Sequence, residues 1–342
     1  MYKCAIVAVG GGRARGHADA YRHIERGELV AVSTRRQDKL DEFADLYNVP
    51  ARYTDYRAMF NNEKPDLVHV NTPPNVRLEI MQAAEEAGVP SLIIEKPLGI
   101  QGEDYLAMRD FSRNARVKVA INHQLHFHPR RYKLQQIVKN GEIGEIRFIE
   151  ASARMNLAYQ GTHALQAIGA FMPDAVPTSV FGQLSGGDGL EETPRQHFAP
   201  DQCIAAIAYD NGVSAMLRCG TNSPAVIDGP ISKHKRVAVF GTRGHIDWTM
   251  HSWETGVDGK VEAGTHEYPQ EDILGQAAMT EAMFDWLEDN DMKHPLNLTA
   301  ALQDLNIILG IYTSAIDRRP VDLPVDPAPA LISKLRQILV RR

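Results

Sequence analysis

Up to about residue 122 the chain alternates short apolar runs with amphipathic stretches, and that rhythm leaves few folds open. The apolar runs are Cys4–Val9, Leu29–Ser33, Asp66–Val70, Ser91–Ile94 and Val117–Ile121. Between them, helical spacing covers His17–Arg26, stopped by Gly27. It also covers Gln37–Tyr47, Asn75–Ala87 (closed by Gly88) and Glu103–Asn114. In Gln37–Tyr47 one helix face carries Leu40, Phe43, Ala44 and Tyr47. Short strands apolar on both faces, each followed by a helix, build a parallel sheet covered on both sides. Connections this short require right-handed crossovers.

After residue 122 the rhythm changes. Pro129–Lys139 reads as a helix, Gly141-Glu142-Ile143-Gly144 as a tight turn, and Glu145–Met155 as a long alternating strand. Further strands are expected at Thr178–Leu184, Gln202–Tyr209, Val213–Cys219, Arg236–Phe240 and His245–Met250. Tyr209-Asp210-Asn211-Gly212 is a strong hairpin signal. Helices follow at Ile273–Glu288 and Thr299–Ala315, then a proline-rich stretch, Pro320–Pro329, expected as an irregular tail. The expectation is α/β overall. Residues 1–122 form an N-terminal Rossmann doubly wound parallel sheet that binds a dinucleotide. Residues 123–342 form an α+β domain with a large, mostly antiparallel open sheet for substrate binding and oligomerisation.

A net charge of −6 without a long basic block argues against nucleic-acid binding. Three scattered cysteines, Cys4, Cys203 and Cys219, suggest neither a disulfide framework nor a zinc ribbon. No stretch reaches the length of a membrane span, so a cytoplasmic location with no membrane partner is expected.

Gly10, Gly11 and Gly12 follow the first strand directly. Glycine there lets a pyrophosphate approach the backbone, and the next helix N-terminus offers N–H donors. Two registers are open: Gly10-x-Gly12 leaves Arg15 in third place, and Val9-x-Gly11-x-x-Ala14 starts one residue earlier. Arg13 and Ala14 fall within the loop in either register. The second strand ends Ser33-Thr34-Arg35-Arg36, where an NAD site usually carries an acid. Hydroxyls and guanidinium groups suit a 2′-phosphate, so NADP is expected over NAD. The alternative is that Arg35 and Arg36 cap the strand or stack on adenine. Asn71-Thr72-Pro73-Pro74 forms a loop at the carboxyl edge of the sheet, where ligands bind. Glu95-Lys96-Pro97 closes the strand Ser91–Ile94. A lysine at that edge either acts on a substrate or is plain strand-end surface.

Together these segments resemble the glucose–fructose oxidoreductase/inositol dehydrogenase/rhizopine-catabolism (Gfo/Idh/MocA) family. The resemblance rests on Gly11-Gly12-Arg13-Ala14-Arg15-Gly16-His17, Asn71-Thr72-Pro73-Pro74, Glu95-Lys96-Pro97, His126-Phe127-His128-Pro129, Gly141 to Ile146 and Gly161-Thr162-His163. It implies a nicotinamide between two domains, with Glu95 and Lys96 at the cofactor and Lys96 also at the reacting oxygen. His163 would exchange the proton. This chain departs from the pattern. Tyr159 and Gln166 stand where acids are common, Arg77 where histidine is, and His126 where arginine is. Tyr159 is therefore a second proton-transfer candidate, and His123, Gln124 and His126 are substrate candidates.

His123, His126 and His128 do not suggest a metal site, since strand-to-loop geometry would point them apart. The stretch Gly186 to His197 reads as a long loop, either a cover for the site or plain surface. Arg195 and His197 in it are candidates for gripping a polar or acidic substrate. Trp248 and Trp253 flank a turn and suit either a sugar ring or packing. The expected activity is NAD(P)-dependent hydride transfer to or from a secondary alcohol of a sugar, cyclitol or related polyol. The alternatives are a lyase or glycosidase that cycles a tightly bound nicotinamide, or a non-catalytic NAD(P)-binding regulator. A homodimer or homotetramer through the C-terminal sheet is expected.

Overall fold

A computed structural model of the chain describes residues 1–191 and 196–340. Six strands form the first sheet: β1 Tyr2–Val7, β2 Gly27–Ser33, β3 Ala51–Tyr53, β4 Leu67–Val70, β5 Ser91–Glu95 and β6 Lys118–Asn122. Their order is β3-β2-β1-β4-β5-β6, and every pairing is parallel. This is the doubly wound dinucleotide-binding topology, whose chain reversal lies between β1 and β4. β4 and β5 are buried along their whole length, which is why, apart from His69, Ser91 and Glu95, their residues are apolar.

The first helix spans Gly12–Ala20, not His17–Arg26, and a 3-10 turn, Tyr21–His23, follows it. The glycines do not delay the helix: Gly11 itself is its extended N-cap. β3 and the helix Tyr56–Glu63 went unpredicted. β3 is an edge strand of three residues, too short to show a period.

The second sheet has nine strands: β7 Ile146–Ala153, β8 Pro177–Ser185, β9 Gln202–Tyr209, β10 Ser214–Cys219, β11 Lys235–Gly241, β12 Gly244–Thr249, β13 Ser252–Val257, β14 Lys260–Thr265 and β15 Val321–Asp322. It is antiparallel except where β10 lies beside β7. The proline-rich stretch is not wholly irregular. β15 adds the ninth strand beside β8, and Asn306 holds it by exchanging two hydrogen bonds with the Val325 backbone. β13, β14 and the helix Leu331–Leu339 also escaped the sequence reading.

The chain divides into two compact units. One comprises residues 1–98, 107–128 and 272–301, the other residues 99–106, 129–271 and 302–342. This division differs from a single cut at residue 122. Residues 272–301 join the first unit because Ala277, Met279, Met283, Phe284 and Leu296 pack with Cys4, Leu67, Ile93 and Ala120. The added contact is tight: a Cβ at Gly27 would lie 2.7 Å from the Phe284 ring. Among the described residues no helix is long and apolar enough to cross a membrane.

Candidate active site

In the first unit, the candidate residues gather at the carboxyl edge of the parallel sheet. The loop Val9–Gly11 leads from β1 into the helix Gly12–Ala20, and Ser33 O accepts hydrogen bonds from Ala8 N and Val9 N. A Cβ at Gly11 or Gly12 would meet nothing within 4 Å. Gly11 also has φ −114°, open to any residue. Among the described residues no packing contact requires glycine at these two places, whereas close approach of a ligand to the backbone would. The first N–H groups of the helix lack partners within it. At the end of β4, both polar side-chain atoms of Asn71 and the Thr72 hydroxyl are buried without a hydrogen-bond partner among the described residues. Buried polar groups are normally satisfied, so these orphans fit a polar ligand such as a dinucleotide. Ser33 is buried, Thr34 half-buried, and Arg35 and Arg36 exposed beside them. Pro73 is exposed, Pro74 buried, and Ala14 buried in the first helical turn.

Glu95 holds these segments together. Its carboxylate accepts from Arg13 Nε at 2.9 Å and from Asn122 Nδ2, and it lies 3.3 Å from His17 Nε2. Burial pushes this carboxyl up, but Arg13, His17 and Lys96 outweigh burial and hold it well below the usual carboxylate range. Arg13 also donates to Gln276 Oε1 at 2.5 Å and reaches Asp272 Oδ2 at 3.5 Å. The side chains of Arg13 and Glu95, both expected at a cofactor, belong to one part-buried network, and the Arg13 backbone lies in the helix's first turn. Behind them, His17 and His69 stack with ring centroids 4.5 Å apart, and Tyr21 Oη lies 2.9 Å from His69 Nε2. Burial lowers both imidazole pKa values, His69 the further of the two.

Lys96 is half-buried at the mouth of β5 and precedes a cis Lys96–Pro97 bond. The buried Arg77 guanidinium donates to Thr72 O at 2.7 Å and to Lys96 O at 3.4 Å. One side chain therefore ties the Asn71–Pro74 loop to the lysine's backbone. His123 and Gln124 are buried and His126 half-buried, and Gln124 Nε2 donates to Asp272 Oδ1 at 2.9 Å.

In the second unit, His163 is buried as the second residue of the helix Thr162–Ala170. A turn of π-helix, Leu157–Gly161, precedes it and carries the half-buried Tyr159. Such turns recur at functional sites. Gln166 accepts from the fully buried Arg131 Nη2 at 3.2 Å, and the Arg131 guanidinium carbon lies 5.7 Å from the Trp248 ring centroid. An amide oxygen thus meets a buried cation where an acid is common in the family. Trp248 is buried against His266, and Trp253 lies under Arg130. Both indoles are therefore occupied by packing. Arg195 lies outside the described residues.

Sequence reading missed His69, Tyr21 and Gln276 as supports. A histidine inside the apolar strand Leu67–Val70 was a readable sign of a buried polar network. Gln276 had no such sign, because it meets Arg13 across 263 residues.

A parallel sheet in this order, with an open glycine cradle and orphaned polar atoms at its carboxyl edge, defines a dinucleotide-binding architecture. Residues 2–123 match the Gfo/Idh/MocA model, an oxidoreductase family with an NAD-binding Rossmann fold. D-glucoside 3-dehydrogenase of Escherichia coli is 30% identical over 237 residues, covering 61% of this chain and 67% of that protein. Myo-inositol 2-dehydrogenase of Thermotoga maritima is 24% identical over 239 residues, covering 67% of this chain and 70% of that protein. The whole-chain fold matches levoglucosan dehydrogenase in complex with NADH and L-sorbose. The TM-score is 0.79 at 17% identity, covering 94% of this chain and 99% of that one. The chain belongs to the Gfo/Idh/MocA oxidoreductase family.

Proposed function

We propose that the chain transfers a hydride between a nicotinamide cofactor and a secondary alcohol or ketone of a sugar, cyclitol or related polyol. Lys96 carries this reading. It is a half-buried lysine at the carboxyl edge of β5, with its carbonyl held by Arg77 and its neighbour Glu95 fixed as a carboxylate. The named relatives, a glucoside dehydrogenase and an inositol dehydrogenase, support the substrate class. Gly11, Gly12, Asn71 and Thr72 would hold the dinucleotide, which when bound supplies the hydride acceptor or donor. Lys96 stabilises the developing alkoxide, and His163 takes or returns the hydroxyl proton, with Tyr159 beside it in sequence. Lys96→Ala should leave cofactor binding measurable by titration and cut polyol turnover by orders of magnitude. Full turnover in that variant would remove Lys96 from the reaction.

NADP is the preferred form in this reading. Arg35 is exposed and pairs with no carboxylate among the described residues, and Arg36 reaches only the exposed Asp38, at 3.2 Å. Both guanidinium groups are available to a 2′-phosphate beside Ser33 and Thr34. Equal dissociation constants for NADP and NAD would remove the preference. A second copy is proposed on the open face of the second sheet. By strand register, Phe181, Ile204, Met216, Phe148 and Phe240 share that face, and Ile204 is 49% exposed. Such a stripe is costly in water. Sedimentation should show a dimer or tetramer, and a monomer at all concentrations would contradict it.

A further inference from the structure

The described stretches after β8, residues 186–191 and 196–201, are built into the turn that precedes His163. Asp201 pins these two stems together: its carboxylate accepts from Gly189 N at 2.6 Å and Asp188 N at 3.1 Å. Ala199 N donates back to Gly189 O at 3.0 Å. Asn156 joins this loop to the turn. Its Oδ1 accepts from Tyr159 N at 2.9 Å, and its carbonyl accepts from the N–H groups of Tyr159, Gln160 and Gly161. Its Nδ2 packs so closely on Gly189 that a Cβ there would lie 3.0 Å away. The helix Leu331–Leu339 touches both stems. Arg336 Nε donates to Leu190 O at 2.6 Å, and its guanidinium carbon lies 4.7 Å from the Phe198 ring centroid. Between these anchors His197 lays its ring against Tyr159, with centroids 4.9 Å apart and planes tilted by 49°.

We infer that His197 is a positioning residue for Tyr159, fixing the phenol on the turn that leads into His163. A phenol on a short turn has two side-chain torsions to lose, and a tilted aromatic neighbour restricts both. A phenol also offers a ring to be packed, and His197 meets that ring. The inference rests on the proposed hydride-transfer reading.

The test uses the full chain and a turnover screen with wild type and Lys96→Ala in parallel. His197→Ala should lower kcat by between about tenfold and a hundredfold, the scale of a misplaced group. The cofactor dissociation constant should stay unchanged. His197→Phe, which keeps a ring in place, should restore most of the loss. In thermal melts, His197→Ala and Tyr159→Ala should each lower Tm, and the double variant should lower it by less than the sum. Unchanged kcat in His197→Ala, no rescue by His197→Phe, or additive melting shifts would each overturn the inference. A wild type inactive on every polyol would count against the hydride-transfer reading alone, because the melting cycle reads the ring contact without turnover.

Discussion

At the scale of single residues, the glycine loop separates what the fold needs from what a ligand needs. Gly27 is required by packing, because Phe284 and Cys4 leave no room for a methyl group. Gly11 is not: its backbone is extended and its Cβ position is empty. Gly11→Ala should therefore leave Tm unchanged or slightly raised, since alanine restricts the unfolded chain by about 0.4–1 kcal/mol. Its cofactor affinity should fall by at least about tenfold, as a methyl group intrudes on the pyrophosphate. A paired melt and cofactor titration checks this, and a variant that melts early would assign Gly11 to the fold instead. Sequence showed that glycine stood here but not which glycine answered to which demand, because a neighbour such as Phe284 is 257 residues away.

At the scale of elements, Glu95 is the knot between the helix Gly12–Ala20, the ends of β5 and β6, and, through Arg13, the helix Tyr268–Glu288. The triplet Glu95-Lys96-Pro97 was legible as a strand end, but the acid's structural task was not. It orders the frame around Lys96. Glu95→Gln keeps the shape and removes the charge that Arg13 needs. A wholly buried pair broken in this way costs about 3–5 kcal/mol. Arg13 retains 31% side-chain exposure, so water replaces part of the loss. About 2 kcal/mol is expected in urea denaturation. A loss below about 0.5 kcal/mol would show that the knot is ornamental to stability.

At the scale of the whole molecule, the buried network makes stability depend on pH. His17 and His69 are held neutral by burial, and Glu95 is held charged despite it, so all three titrate lower in the folded chain. A depressed folded pKa contributes stability that is complete above the unfolded value and is lost as pH falls. The imidazole contribution should therefore be intact above about pH 6.5 and decline below it, and the carboxyl contribution should follow below about pH 4.3. Tm measured from pH 8 to pH 4 should be level at first and then fall from about pH 6.5. A Tm that held level to pH 5 would contradict the neutral buried imidazoles.

The parallel and the mostly antiparallel sheet and the strand end that carries Lys96 were readable from local pattern, because buried parallel strands are largely apolar and a loop that admits a phosphate is glycine-rich. The placement of residues 272–301, the strand within the proline-rich stretch and the ring contact between Tyr159 and His197 were not readable. Each depends on partners remote in the chain, and periodicity carries no record of which distant surface a face will meet. Local chemistry thus marked the sheet edge that carries Lys96, and long-range packing set what holds that edge in place.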